Sequence, residues 1–251
     1  MNNLLSATSV STAHTSNRST ADGNADFAAA FDRLSITPTH WLVLAFCAMG
    51  LILDTGELAV GQSFAASVSG AASGTALFAW LLASAYLGGV AGAPIFGWIA
   101  DRKGRVLSLS IQLGVMGVAS IGATLSRDLI WIAAFRTISG LALGGFSPVA
   151  FTYLTELLPS RSRGGAFLAT TSLAFIGPPA TLFLIRCLTP IDGAEAWRPV
   201  LLGEAILALL LAVVALRLPE SPRWLLSVGP QQGCGKDGKP FQTGPAAGGE
   251  R

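Results

Sequence analysis

The chain has 251 residues, of which 51% are hydrophobic and 12% charged, with a net charge of +2. That charged share is roughly half of what an average soluble domain carries, too little to cover a water-facing surface. The near-neutral balance provides no basic footprint for nucleic acid. Cys47, Cys187 and Cys234 are too few and too scattered for a disulfide or metal framework.

Residues 1–36 are polar, rich in Ser, Thr, Ala and Asn, with no apolar core. This excludes an ordinary cleaved signal peptide and predicts a disordered cytoplasmic leader. From 37 to 228 the apolar residues come in long blocks. Crossing a hydrocarbon core takes about 20 residues, and six segments qualify: 41–63, 77–100, 106–125, 129–157, 165–187 and 199–218. The second carries Gly88 and Gly92 four apart. In the fourth, Arg136, Gly140, Gly144 and Pro148 fall at intervals of four on one face. Small residues in such rows let helix backbones approach closely inside a membrane. The fourth segment is long enough to protrude, and Pro159 marks its end. Gly177-Pro178-Pro179 predicts a kink in the fifth, and Pro199 suits the first turn of the sixth.

Loop charges predict the orientation. With the N-terminus inside, the cytoplasmic side carries Arg18, Arg33, Arg102, Lys103, Arg105, Arg161, Arg163, Arg217, Arg223, Lys236 and Lys239. The outer side carries Arg127, Arg186 and Arg198. Under the positive-inside rule both termini are then cytoplasmic and the chain is a multi-pass protein of the cell membrane.

Three loop motifs are sharper than the helices. Gly97-Trp98-Ile99-Ala100-Asp101-Arg102-Lys103-Gly104-Arg105 fits G-x-x-x-D-R-x-G-R at every specified position. Gly97 would allow a tight helix contact, Asp101 could cap a helix or pair with an arginine, and Gly104 would make the turn. Tyr153 to Gly164 fits Y-x-x-E-x-x-P-x-x-x-R-G, with Glu156 and Arg163 at the charged positions. Pro219-Glu220-Ser221-Pro222-Arg223-Trp224-Leu225 follows the sixth segment. Together these resemble the amino-terminal half of a major facilitator superfamily transporter of the sugar-porter and metabolite:proton symporter branch. The resemblance implies an all-α membrane protein with six transmembrane helices in two inverted three-helix repeats, half of a twelve-helix fold. It also implies that Asp101, Arg102, Arg105, Glu156, Arg163, Glu220 and Arg223 form a cytoplasmic gate network, shaped by Gly97 and Gly104. The segment Leu53-Asp54-Thr55-Gly56-Glu57 is similar to one in proton-coupled transporters of aromatic acids and similar metabolites. Leu53 and Gly56 stand where those transporters carry aromatic residues.

Ionisable groups inside a bilayer are costly and mark pathways. Counting about 1.5 Å of rise per residue from the segment ends, Asp54, Glu57, Arg136 and Glu204 share one layer. Three acids against one arginine leave a surplus of negative charge there. The expected division of labour is a proton-carrying acid, Asp54 or Glu57, opposite an Arg136 that attracts an anionic solute. The alternative is that Arg136 is a structural partner of Glu57 or Glu204.

These readings predict secondary active transport of a small organic solute, an organic acid or similar metabolite, coupled to protons, with no cofactor and no metal. An intramembrane enzyme is excluded by its chemistry: the two histidines, His14 and His40, lie outside the spans, and Asp54 has no embedded aspartate partner. From 229 to 251 the chain becomes rich in Gly and Pro, a composition no helix tolerates. The expectation is a disordered tail, frameshifted or truncated, on a fragment that does not transport alone. The other reading of the same tail is a half-transporter that needs a missing carboxy-terminal half or a second copy.

Overall fold

The computed structural model describes residues 38–228. The leader 1–36, with the segment around Phe31 to Leu34, and the tail 229–251 lie outside the described residues. Within them, six stretches are long and apolar enough to cross a membrane: Pro38–Ser67, Ala79–Lys103, Arg105–Leu125, Leu129–Leu157, Ser160–Asp192 and Trp197–Ala215. The fifth reaches past the expected 165–187 at both ends, because helical hydrogen bonding does not stop where the apolar run stops. It is also broken. A helix from Ser160 to Ala174 gives way at Phe175 and Ile176 to a second one, Gly177–Asp192. Pro178 and Pro179 lack the N–H groups that would carry the first helix onward.

Helical hydrogen bonding is continuous from Pro38 to Lys103, so the first two spans belong to one helical segment. They nevertheless run in opposite directions. In the second and fourth spans the contacts climb together: Ala85 meets Gly140, and four residues later Gly89 meets Gly144. The first span runs against the fourth, with Gly50 beside Phe146 and Gly61 beside Arg136. Pro38–Lys103 is therefore not one straight rod, and the chain alternates up and down through the bundle.

The glycine rows explain how the second and fourth spans mesh. A Cβ on Gly88 would land against the backbone of Thr137, one on Gly92 against Leu141, and one on Gly140 or Gly144 against Ala85 or Gly89. Each helix presses its main chain into the other's missing side chains, the close approach that replaces hydrophobic drive inside lipid. Gly97 does not extend the row: a Cβ there would meet nothing within 4 Å. The tight contact expected at Gly97 is absent because that face of the second span points away from the fourth.

Two apolar clusters fill the interior. One, near the loop between the second and third spans, gathers Phe46, Leu109, Tyr153 and Leu218. The other, toward the opposite end, gathers Phe64, Ile132, Trp197 and Leu201. Between them runs a thin layer of buried polar groups.

Candidate functional site

That layer is built around one turn of the first span, and each of its residues faces a different neighbour. Glu57 is 1% exposed and Arg136 4%. Arg136 Nη1 lies 3.4 Å from Glu57 Oε1, and its Nη2 donates to the main-chain oxygen of Glu57 at 3.1 Å. Ser120, from the third span, donates to the same Oε1 at 2.9 Å. Gly61 makes this possible, since a Cβ there would fall on the guanidinium. Nη2 therefore reaches the first span's backbone one turn before Gly61.

Asp54 takes another direction. Its Oδ2 accepts a hydrogen bond from Ser147 of the fourth span at 2.8 Å, and its buried Oδ1 has no hydrogen-bond partner among the described residues. Glu204 of the sixth span accepts a 2.6 Å bond from Thr181 of the fifth. Both pack against Gly56, where a Cβ would stand 2.8 Å from Thr181 Oγ1 and 3.0 Å from Glu204 Oε1. All four sequence-predicted membrane charges thus gather on one turn, Asp54 to Glu57, but only Glu57 takes Arg136 as its ion-pair partner among the described residues.

A second cluster closes the bundle at the end where the second span stops and the third begins. Arg105 forks onto Glu156, Nε and Nη2 lying 3.2 and 3.1 Å from its two oxygens. Arg105 Nη1 reaches Asp101 at 2.8 Å and the Ala100 carbonyl at 2.7 Å. Asp101 therefore pairs rather than caps. The cap comes from Glu220, whose carboxylate receives the N–H groups of Arg105 and Val106 at 3.1 and 3.2 Å. Four N–H groups at a helix start lack helical partners, and the acid also suits the positive end of the helix dipole. Gly104 turns the chain at φ 103°, and a Cβ there would lie 2.5 Å from Glu220 Oε1. No other residue type fits both the backbone and the carboxylate.

The remaining expected members make contacts of their own. Arg102 lies over the Trp98 ring at 4.5 Å, Arg163 donates from Nε to the Leu158 carbonyl at 2.8 Å, and Arg223 is exposed. Two motif residues take partners that the motifs do not state, and other contributors lie outside the motifs. Tyr153 donates its hydroxyl to Pro219 O at 2.5 Å, and Trp224 Nε1 donates to Asp101 O at 2.9 Å. Ser120, Ser147 and Thr181 orient the buried acids, while Gly61 admits the arginine. Hydroxyls inside apolar runs were the available signal, but such residues also bond their own helix, so the signal does not single them out.

A six-span bundle with charges buried at mid-depth and an ionic clasp joining three loop segments is the architecture of a membrane transporter. The family model described as sugar (and other) transporter matches residues 7–236. The chain belongs to this family, whose members are transporters and not enzymes. It is 32% identical to the 4-hydroxybenzoate transporter PcaK of Pseudomonas aeruginosa, over 76% of this chain and 42% of the relative. It is 28% identical to the niacin transporter NiaP of Acinetobacter baylyi, over 81% of this chain and 46% of the relative. Against the arabinose-proton symporter of Bacillus subtilis the identity is 30%, over 59% of this chain and 33% of the relative. Among solved structures, the partially occluded inward-open xylose transporter XylE from E. coli superposes with a TM-score of 0.68 at 23% identity. That match covers 76% of this chain and 52% of XylE. The likeness establishes the fold, half of a major facilitator bundle. The chain spans less than half the length of the curated relatives named above.

Proposed function

We propose that this chain forms one wall of a proton-coupled carrier for a small organic acid. The observation that carries the reading is the unequal treatment of the acids around one turn. Glu57 has a counter-ion, whereas Asp54 has only the Ser147 hydroxyl and Glu204 only that of Thr181, each with one bare buried oxygen among the described residues, and of the two Asp54 shares its turn with Glu57. A carboxyl group without a counter-ion inside a bilayer is what a proton carrier requires. Arg136, committed to Glu57 in this state, becomes the anion-binding group when an incoming carboxylate competes for it. The relatives named for 4-hydroxybenzoate and niacin support a carboxylate substrate.

The length of those relatives favours a further element of the proposal. The working carrier includes a second six-helix wall, a carboxy-terminal half or a second copy, with the solute between the two. Both termini are placed in the cytoplasm, as the loop charges indicate.

The test is uptake of labelled 4-hydroxybenzoate into liposomes under an inward proton gradient, with the chain alone and with a second wall supplied. The second wall is expected to be needed, and Asp54→Asn is expected to abolish accumulation while leaving exchange. Accumulation by the chain alone removes the need for a second wall. Accumulation unchanged in Asp54→Asn between about pH 5 and 8 returns Asp54 to a structural role. For orientation, a cysteine placed at Asp192 in a cysteine-free background is expected to label from outside the cell and one at Ser160 is not. The opposite pattern reverses the assignment.

A further inference from the structure

The break in the fifth span leaves a specific debt in the middle of the membrane. In an unbroken helix the N–H of residue 178 would bond the carbonyl of Ala174, and that of 179 the carbonyl of Phe175. Prolines at both positions remove these donors. A main-chain carbonyl without a partner inside lipid costs several kcal/mol, so the freed groups need donors from elsewhere.

The first span supplies one. Thr55 Oγ1 lies 2.7 Å from the Ala174 carbonyl, across 119 residues of sequence. Gly177, the first residue after the break, lets the backbones close around this bond: a Cβ there would run into the Thr55 hydroxyl and the Ile52 carbonyl. The same hydroxyl also lies 3.0 Å from its own Leu51 carbonyl and 3.1 Å from that of Ile52. A threonine hydroxyl has one hydrogen, so it serves either the fifth span or its own helix. Threonines commonly make the second kind of bond inside helices.

Thr55 also stands between two members of the charged layer. Asp54 is tied to the fourth span through Ser147. Gly56 is the floor on which Thr181 and Glu204 meet, and Thr181 lies one turn beyond Gly177 in the same half of the fifth span. Three consecutive residues thus fasten the first span to the fourth span, to the break, and to the outer half of the fifth.

We propose that Thr55 is a positioning residue acting as a two-position latch. Donating to Ala174 O, it holds the two halves of the fifth span against the first. Donating to Leu51 O, it releases them, and the span flexes at Phe175–Ile176. The released state keeps the hydroxyl satisfied but bares the Ala174 carbonyl, so the latched arrangement is the lower of the two. A movement of the first span at Asp54 thereby reaches the fifth span through the adjacent residue. This rests on the geometry of the break and requires no assignment of solute or coupling ion.

The test is amide hydrogen exchange of the full chain in lipid nanodiscs, read on the amides of Ile176, Gly177 and Ala180. Thr55→Val keeps the shape and removes the hydrogen. It is expected to speed exchange at these amides about tenfold, the equivalent of ~1.4 kcal/mol. Thr55→Ser, which keeps the donor, is expected to stay within about twofold of the parent. Exchange in the Arg105–Leu125 helix is expected to be unchanged in both. Equal acceleration in that helix would mean general loosening, and it overturns the latch. So does parental exchange in Thr55→Val, or Thr55→Ser matching the valine variant. Gly177→Ala gives an independent approach should the valine variant fail to insert: it pushes the break away from Thr55 and is expected to speed the same amides, and parental exchange there counts against the proposal.

Discussion

Arg136 and Arg105 are both held by carboxylates, and the comparison between them separates what an ion pair does in lipid from what it does at a membrane surface. The Arg136 and Glu57 side chains are 5% and 2% exposed. Arg105 and Glu156 are 11% and 14% exposed, and Asp101, the other partner of Arg105, is 74% exposed. In the interior neither charge can exchange its partner for water, so removing one strands the other even where forming the pair brings little net gain. At the loop end Asp101 is open to water, and its single pair is weak. There the value lies in geometry: one guanidinium and one capping carboxylate clasp the second, third, fourth and sixth spans together.

The comparison predicts a steep gradient of effects. Arg136→Met is expected to cost the most, about 3–5 kcal/mol, by leaving Glu57 buried without a counter-ion. Adding Glu57→Gln to it should recover most of that loss, as read by thermal unfolding in detergent. If the single variant unfolds no earlier than the loop-end variants below, the contrast between interior and surface is wrong. Next comes Gly61→Ala, expected to cost about 1–3 kcal/mol by crowding the guanidinium. In the Arg136→Met background the same change should cost nothing or gain up to ~1 kcal/mol, because alanine is the better helix former. A cost that persists without the arginine would place the clash elsewhere. At the loop end, Glu220→Ala is expected to cost about 1 kcal/mol through the lost cap of the Arg105–Leu125 helix. Asp101→Asn should stay below about 1 kcal/mol and lose its effect in high salt. A salt-insensitive loss at Asp101 as large as that at Arg136 would erase the distinction between the two sites.

Much of this architecture was legible in the chain itself. Apolar runs of sufficient length announce six crossings, because a bilayer leaves an unsatisfied backbone no alternative to helix. The rows Gly88–Gly92 and Gly140–Gly144 announce close helix contact, since an interval of four returns to one face whatever lies opposite. The spacing from Gly97 to Arg105, with Gly104 before the arginine, carries its own turn chemistry. These are local properties, decided by residues within a few positions of one another.

Partnership was not legible, because it depends on how six helices are rotated about their axes. Periodicity says that Asp54 and Glu57 share a side of the first span. It does not say that the third and fourth spans supply Ser120 and Arg136 to one acid while Ser147 goes to the other. The choice of Glu57 by Arg136 turns on the missing side chain of Gly61, and nothing in the motifs points to that residue. Gly97 lies one residue past Phe96, a member of the buried core, yet faces open space, a question of helix rotation alone. Glu220 caps a helix that begins 115 residues earlier, and Thr55 reaches a carbonyl 119 residues away. Short-range chemistry determined where this chain forms helices and which faces they pack. Only the packed bundle decided which buried charge meets which, because in a medium without water each polar group must take a partner from whichever helix the fold brings beside it.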